Sequence, residues 1–197
     1  MKTIVIATKN RHKVEEIGNI FRPADYRLSD LSAFPDIPEA IEDGDSFAAN
    51  AAIKARYYYE LLKKPVIADD SGLVVAALNG EPGIYSARYA GPEANYENNN
   101  LKLLKMLEKF PAGQRQAYFI CVAVFWDGSH MVPAEGRLNG MIGFEPRGMN
   151  GFGYDPVFMV PGTGKTLAEL SAAEKNRISH RFHAFTQLRE KLAVSIP

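Results

Sequence analysis

Three polar clusters interrupt an otherwise apolar pattern, and each carries residue types suited to phosphate or to a metal ion. The first is Thr8-Lys9-Asn10-Arg11-His12-Lys13, lying between a β-branched run, Thr3 to Ala7, and a segment of helical periodicity. A loop that opens a helix presents backbone N–H groups and the positive end of the helix dipole, here beside several cations, and so makes a seat for phosphate. A solvated basic loop accounts for the same residues equally well. The second cluster, Ala68-Asp69-Asp70-Ser71-Gly72, places adjacent carboxylates at the end of the apolar run Pro65 to Ala68. Buried carboxylates are costly unless compensated, and a divalent cation is the usual compensation. One of the pair can ligate metal or activate water while the other caps a turn; an Asx turn alone is the plain alternative. Glu42-Asp43-Gly44-Asp45 offers further carboxylates that the same cation could recruit, or is simply an acidic loop.

The third cluster, Lys175-Asn176-Arg177-Ile178-Ser179-His180-Arg181, gathers basic and hydrogen-bonding groups around a helix break. His180 and His183 have no carboxylate partner at ligand spacing, which argues against zinc. Gly151-Phe152-Gly153-Tyr154-Asp155-Pro156 sets aromatics among glycines, either to stack on a nucleobase or to fill a core around a tight turn.

The elements that must position these residues alternate between strand and helix, so the fold class is α/β, mixed α+β. Thr3 to Ala7 reads as a buried strand, and Val14, Ile17, Ile20 and Phe21 mark a helix face that Pro23 stops. Residues 23 to 44 read as irregular, and Asp45 or Ser46 caps a helix running to about Lys64. Leu73 to Leu78 and Ile84 to Tyr89 read as strands about a turn at 79–83. A helix from Pro92 to Lys109 and a hairpin, Gln116 to Trp126 with Met131 to Leu138, follow. Val157 to Val160 reads as a strand. Thr166 with Glu169 caps a helix through Asn176, and a last helix starts at Ser179. No repeat or linker divides the chain, so residues 1–197 are expected to form one domain.

The 197 residues carry 23 basic and 23 acidic side chains, a balance that gives no long-range attraction to nucleic acid or an anionic membrane. The single Cys121 lies in an apolar run, excludes an internal disulfide and suits a reducing, cytoplasmic setting. No stretch is apolar enough to span a bilayer. Pro161-Gly162-Thr163-Gly164-Lys165-Thr166 imitates a phosphate-binding P-loop, but Met159 stands where that pattern requires its first glycine.

Taken together and in order, these segments resemble the inosine/xanthosine triphosphate pyrophosphatase family. The resemblance rests on Ala7 to Lys13, Glu42-Asp43-Gly44 with Phe47 and Asn50-Ala51, and Ala68 to Leu73. It continues through Pro82 to Tyr89, Gly151 to Pro156, and Glu174-Lys175-Asn176 with Ile178 to Arg181. It implies an elongated two-lobed fold with a long mixed sheet, an active-site groove between the lobes, and a homodimer acting on a small-molecule nucleotide. The implied reaction is Mg²⁺-dependent hydrolysis of dITP, ITP or XTP to the monophosphate and pyrophosphate. Thr8, Lys9, Asn10, Arg11, His12 and Lys13 would then bind phosphates, Lys13 also acting in catalysis by stabilising the leaving group, and Asp70 would activate water or help hold Mg²⁺. Glu42 would be the second metal ligand and Ser71 would lie against substrate. Phe152, Gly153, Tyr154, Asp155, Lys175, His180 and Arg181 would form the base pocket. The competing readings are a related pyrophosphatase for pyrimidine nucleotides, a non-catalytic nucleotide-binding module and a P-loop ATPase.

Overall fold

The computed structural model describes residues 2–21 and 26–195. Six strands form one mixed sheet in the order β2-β1-β3-β4-β5-β6. They are β1 (Lys2–Ile6), β2 (Tyr26–Asp30), β3 (Val66–Val75), β4 (Gln116–Trp126), β5 (Met131–Ile142) and β6 (Phe158–Met159). The helices are α1 (Arg11–Ile20), α2 (Phe47–Leu62), α3 (Tyr96–Met106), α4 (Ala172–Ile178) and α5 (His180–Ser195). β1 pairs in parallel with both β2 and β3, the arrangement that helical crossovers produce. Among the described residues no helix is long and apolar enough to cross a membrane.

Two compact units share this chain. The first draws its described residues from 1–70, 121–136 and 180–197, the second from 71–120 and 137–179. The first packs Ile4, Ile6, Ile17, Ile67, Cys121, Phe185 and Leu188 into its core, joining β1 and β3 to α1 and α5. The second closes around Leu73, Leu103, Phe119, Tyr154, Phe158 and Leu167. Interiors of this kind derive most of their stabilisation from apolar area removed from water.

Several elements differ from the expectation, each for a local reason. Tyr26–Asp30 is a strand, β2, within the stretch read as irregular; it is an edge strand of mixed composition, so no apolar run announces it. The stop assigned to Pro23 lies outside the described residues, and α1 ends at Ile20 with Phe21 as its C-cap. β3 runs unbroken through Asp69 to Val75, then gives way to a 3-10 turn at Ala76–Leu78. Ile84 to Tyr89 is not a strand, because Gly83–Arg88 is a 3-10 segment tied down by side chains. Ser86 Oγ accepts the Leu73 N–H at 2.9 Å and donates to the Gly83 carbonyl at 2.6 Å. α3 starts after Asn95, whose side chain accepts the Asn98 N–H, so Pro92 falls in a separate 3-10 turn. Thr166 and Glu169 cap only a 3-10 turn, and a second capping box, Ser171 with Glu174, opens α4.

Candidate functional site

In the first unit the polar residues converge around the adjacent carboxylates of β3. Successive side chains of a strand point to opposite faces, and here the alternation separates Asp69 from Asp70. Asp69 is 3% exposed, and its Oδ2 receives Lys13 Nζ at 2.8 Å with Arg181 Nε at 3.9 Å. Burial alone would raise the Asp69 carboxyl; the charges of Lys13, Arg181 and Lys54 overcome this and hold it well below the usual carboxylate range. Asp70 accepts a hydrogen bond from Asn50 Nδ2 at 3.1 Å on its Oδ2. Burial raises the Asp70 carboxyl, the charges of Glu42 and Asp69 add to the rise, and Lys54 and Asn50 offset only part of it. A carboxylate so raised is the better proton acceptor.

The loop expected to seat phosphate is built by local capping. Asn10 is the N-cap of α1, and its Oδ1 accepts the N–H groups of His12 at 3.0 Å and Lys13 at 3.4 Å. Thr8 Oγ1 accepts the Asn10 N–H at 3.1 Å, which fixes the turn out of β1. Lys9, Arg11 and His12 are exposed, whereas Lys13 folds back onto Asp69.

Two residues of this constellation, Asn50 and Lys54, were not singled out as site residues by the sequence reading. Lys54 Nζ pairs with Glu42 Oε2 at 2.8 Å. Burial would lower its ammonium, but Asp69, Glu42 and Asp70 raise it on balance. Asn50 and Lys54 are one helical turn apart on the buried face of α2, among Ala51, Ala55 and Tyr58. Two polar residues at that spacing on an apolar face are the signal that could have found them.

Glu42 and Asp70 are the acids that could hold a divalent cation. Glu42 lies near enough for its charge to help raise the Asp70 carboxyl, and a cation between them would relieve that repulsion. Among the described residues no group of three or more His, Cys, Asp or Glu side chains converges. Two carboxylates fit Mg²⁺, which keeps several waters and takes substrate phosphate oxygens as its other ligands.

Arg181 is 2% exposed and pairs with Glu16 as well as Asp69, through Nη1 to Oε2. Burial would lower its guanidinium, and the charges of Asp69 and Glu16 raise it further above its ordinary value. His180 is buried beside it at the start of α5. Gly136 makes this possible: a Cβ there would overlap the His180 carbonyl oxygen and the Ala184 nitrogen, so only glycine lets β5 approach α5 so closely.

The second unit holds the aromatic loop. Asp155 Oδ2 accepts the Phe152 N–H at 2.8 Å and Lys175 Nζ at 2.6 Å. The Lys175 ammonium also lies 4.6 Å from the Phe152 ring centroid. Gly151 at φ 75° brings the backbone so near Asp155 that a Cβ would overlap its carboxylate. Asn100 Nδ2 donates to the Gly153 carbonyl at 3.0 Å, and Tyr96, one turn earlier on α3, sets its ring 6.1 Å from that of Phe152. Tyr154 is buried and donates to the Ser86 carbonyl at 2.8 Å, so its ring belongs to the core while Phe152 is only half-buried. Ser71 is half-buried on β3. The residues after β6 make a turn with Gly162 and Gly164 at positive φ, followed by the 3-10 segment Leu167–Glu169 rather than the helix of a P-loop.

The chain is similar to known proteins over nearly all of its length. The model of the Ham1 family matches residues 4–191. A dITP/XTP pyrophosphatase of Geobacillus kaustophilus is 50% identical over 192 residues, covering 97% of this chain and 94% of the relative. One from a Thermoanaerobacter species is 51% identical over 189 residues, covering 94% of each. Among solved structures, a HAM1 protein from Coxiella burnetii superposes with a TM-score of 0.91 at 40% identity, covering 99% of this chain and 100% of that one. The likeness extends over nearly the whole chain: it belongs to the Ham1 family.

Proposed function

We propose that the chain hydrolyses deaminated purine nucleoside triphosphates, dITP or ITP and XTP or dXTP, to the monophosphate and pyrophosphate, with Mg²⁺ as cofactor. The observation that carries the reading is the division of labour between Asp69 and Asp70: one is neutralised by the cations of Lys13 and Arg181 and the other is held raised. The relatives named dITP/XTP pyrophosphatase supply the substrate class.

In this reading Asp70 orients a water toward the α-phosphorus and receives its proton as the P–O bond forms and pyrophosphate leaves. Glu42 and Asp70 would hold Mg²⁺, which supplies neutralisation of the triphosphate charge. Lys13 and Lys54 bring ammonium groups to the same surroundings, and the start of α1 adds the positive end of its helix dipole. Thr8, Lys9, Asn10, Arg11 and His12 are the rest of that phosphate seat, and Ser71 contacts substrate. Phe152 offers a base its ring face, with Gly153, Tyr154, Asp155 and Lys175 holding that face in place and His180 and Arg181 contributing hydrogen-bond donors. A donor paired with the 6-oxo group of hypoxanthine or xanthine meets the amino group of adenine unfavourably, which is a source of selectivity.

Balanced charge supports a small-molecule substrate without a nucleic-acid or membrane partner. Residues 1–197 acting as one cytoplasmic, homodimeric pyrophosphatase complete the reading, and size-exclusion chromatography tests the dimer. The decisive assay offers dITP, XTP, dGTP, dATP and dTTP with Mg²⁺ and again with chelator, scoring pyrophosphate apart from orthophosphate. Pyrophosphate released from dITP and XTP only with Mg²⁺ supports the proposal. A preference for dTTP, or orthophosphate from ATP, overturns it.

A further inference from the structure

Asn50 occupies a position with two demands on it. Its side chain is 1% exposed, yet both ends of the amide are used. Oδ1 accepts the Gly44 N–H at 2.9 Å, and Nδ2 donates to Asp70 Oδ2 at 3.1 Å. One planar amide therefore joins the loop that carries Glu42 to the strand that carries Asp70. Only Asn supplies an acceptor and a donor at this reach; aspartate loses the donor and leucine loses both. Gly44 completes the joint from the other side. A Cβ on Gly44 would lie 2.8 Å from Asn50 Oδ1 and 2.8 Å from the Ala49 Cβ, so the loop can rest on the amide only because residue 44 has no side chain. The amide stands on α2, whose N-cap Ser46 accepts the Ala49 N–H at 3.2 Å, so the bridge is anchored to a capped helix rather than to another loop.

We infer that Asn50 is a positioning residue that fixes the distance and orientation between the Glu42 loop and Asp70, and so sets how well this pair of carboxylates receives a divalent cation. The inference rests on the proposed function and deepens it. Hydrogen-bond partners that orient metal ligands affect metal affinity or activity about 10- to 100-fold. Both ends of the buried Asn50 amide are taken by Gly44 and Asp70, so its removal should act through the two carboxylates, lowering kcat and cation affinity while leaving nucleotide KM largely intact.

The test uses the 197-residue protein and Asn50→Ala, with Gly44→Ala as a second variant that breaks the joint while the amide stays. Mn²⁺ binding to nucleotide-free protein is followed by electron paramagnetic resonance, and dITP kinetics at saturating Mg²⁺ give kcat and KM. Both variants are expected to weaken Mn²⁺ about tenfold and to lower kcat at least tenfold, with KM within about threefold of the parent. Mn²⁺ affinity within twofold of the parent in a folded variant, or a loss confined to KM, overturns the inference and leaves the proposed function standing. If the parent itself neither binds Mn²⁺ nor releases pyrophosphate from dITP, the proposed function fails and the inference falls with it.

Discussion

Asp69 and Asp70 are neighbours on β3 in different electrostatic surroundings: Asp69 rests on Lys13 and Arg181, whereas Asp70 rests on the neutral amide of Asn50, with burial and Glu42 outweighing Lys54. Their contributions to stability have opposite signs. The folded Asp69 carboxyl is lowered, so its stabilisation is present in full above the unfolded value of about 3.9 and is lost as pH falls below it. The folded Asp70 carboxyl is raised, so its charge costs stability at neutral pH. Asp69→Asn should therefore destabilise the protein by about 3–5 kcal/mol at pH 7, leaving buried cations unbalanced. Asp70→Asn should raise Tm while abolishing turnover. Thermal melts of the two variants at pH 7 check the pair, and a Tm loss in Asp70→Asn contradicts the account.

The raised Asp70 carboxyl makes a prediction for the metal-free protein, because a bound cation would lower it again. Without Mg²⁺ the Asp70 carboxyl should titrate above the ordinary carboxylate value of about 3.9, and Mg²⁺ should move that transition to lower pH. Carbon-13 NMR titration of labelled protein, first with chelator and then with Mg²⁺, measures both. A metal-free transition at or below the ordinary value would contradict this account of Asp70.

Much of this was legible in the sequence because strand ends and helix starts mark themselves. The β-branched run of β1, the Asn10 cap of α1, and the apolar approach to Asp69 each carry a local signal. What was not legible depends on contacts distant in the chain. Lys54 reads as an ordinary helix lysine until Glu42 is placed against it, and Arg181 reads as part of a surface charge run until Glu16, 165 positions away, closes on it. β2 is short and mixed in composition, and the Gly83–Arg88 segment is held by Ser86 and Asn99 side chains rather than by strand pairing. The element boundaries near Thr166 were misread because two capping boxes lie five residues apart and the later one opens the α-helix.

Lys13 has two duties in this account, neutralising Asp69 and meeting phosphate. Lys13→Ala should raise KM for dITP and lower kcat/KM at least tenfold, an ionic hydrogen bond being worth about 1.5–3 kcal/mol. It should also lower Tm, because Asp69 keeps only part of its compensation. Steady-state kinetics with a thermal melt separate these effects; unchanged KM and kcat/KM would leave Lys13 with the structural duty alone.

Phe152 is held by Lys175, Asp155 and the ring of Tyr96 rather than by deep burial. Stacking on a base is worth about 1–3 kcal/mol, so Phe152→Ala should raise KM for dITP about 5- to 150-fold with a smaller change in kcat. Lys175→Met removes the ion pair on buried Asp155 and should loosen the loop, lowering Tm as well as affinity. Unaltered KM in Phe152→Ala would place the base elsewhere.

Arg181 is committed to Glu16 and Asp69, so Arg181→Ala leaves the buried Asp69 and the half-buried Glu16 undercompensated and should lower Tm by several degrees. If the guanidinium also reads the 6-oxo group, the preference for dITP over dATP falls in the same variant. Measuring that ratio in folded protein decides the matter, and an intact preference assigns Arg181 to the ion-pair network alone.

The central claim is that water attacks the α-phosphorus. Hydrolysis of dITP by the protein in ¹⁸O-labelled water, with mass spectrometry of both products, tests it directly. The account predicts one ¹⁸O atom in dIMP and none in pyrophosphate. Label in pyrophosphate, or orthophosphate and dIDP as the products, would contradict it.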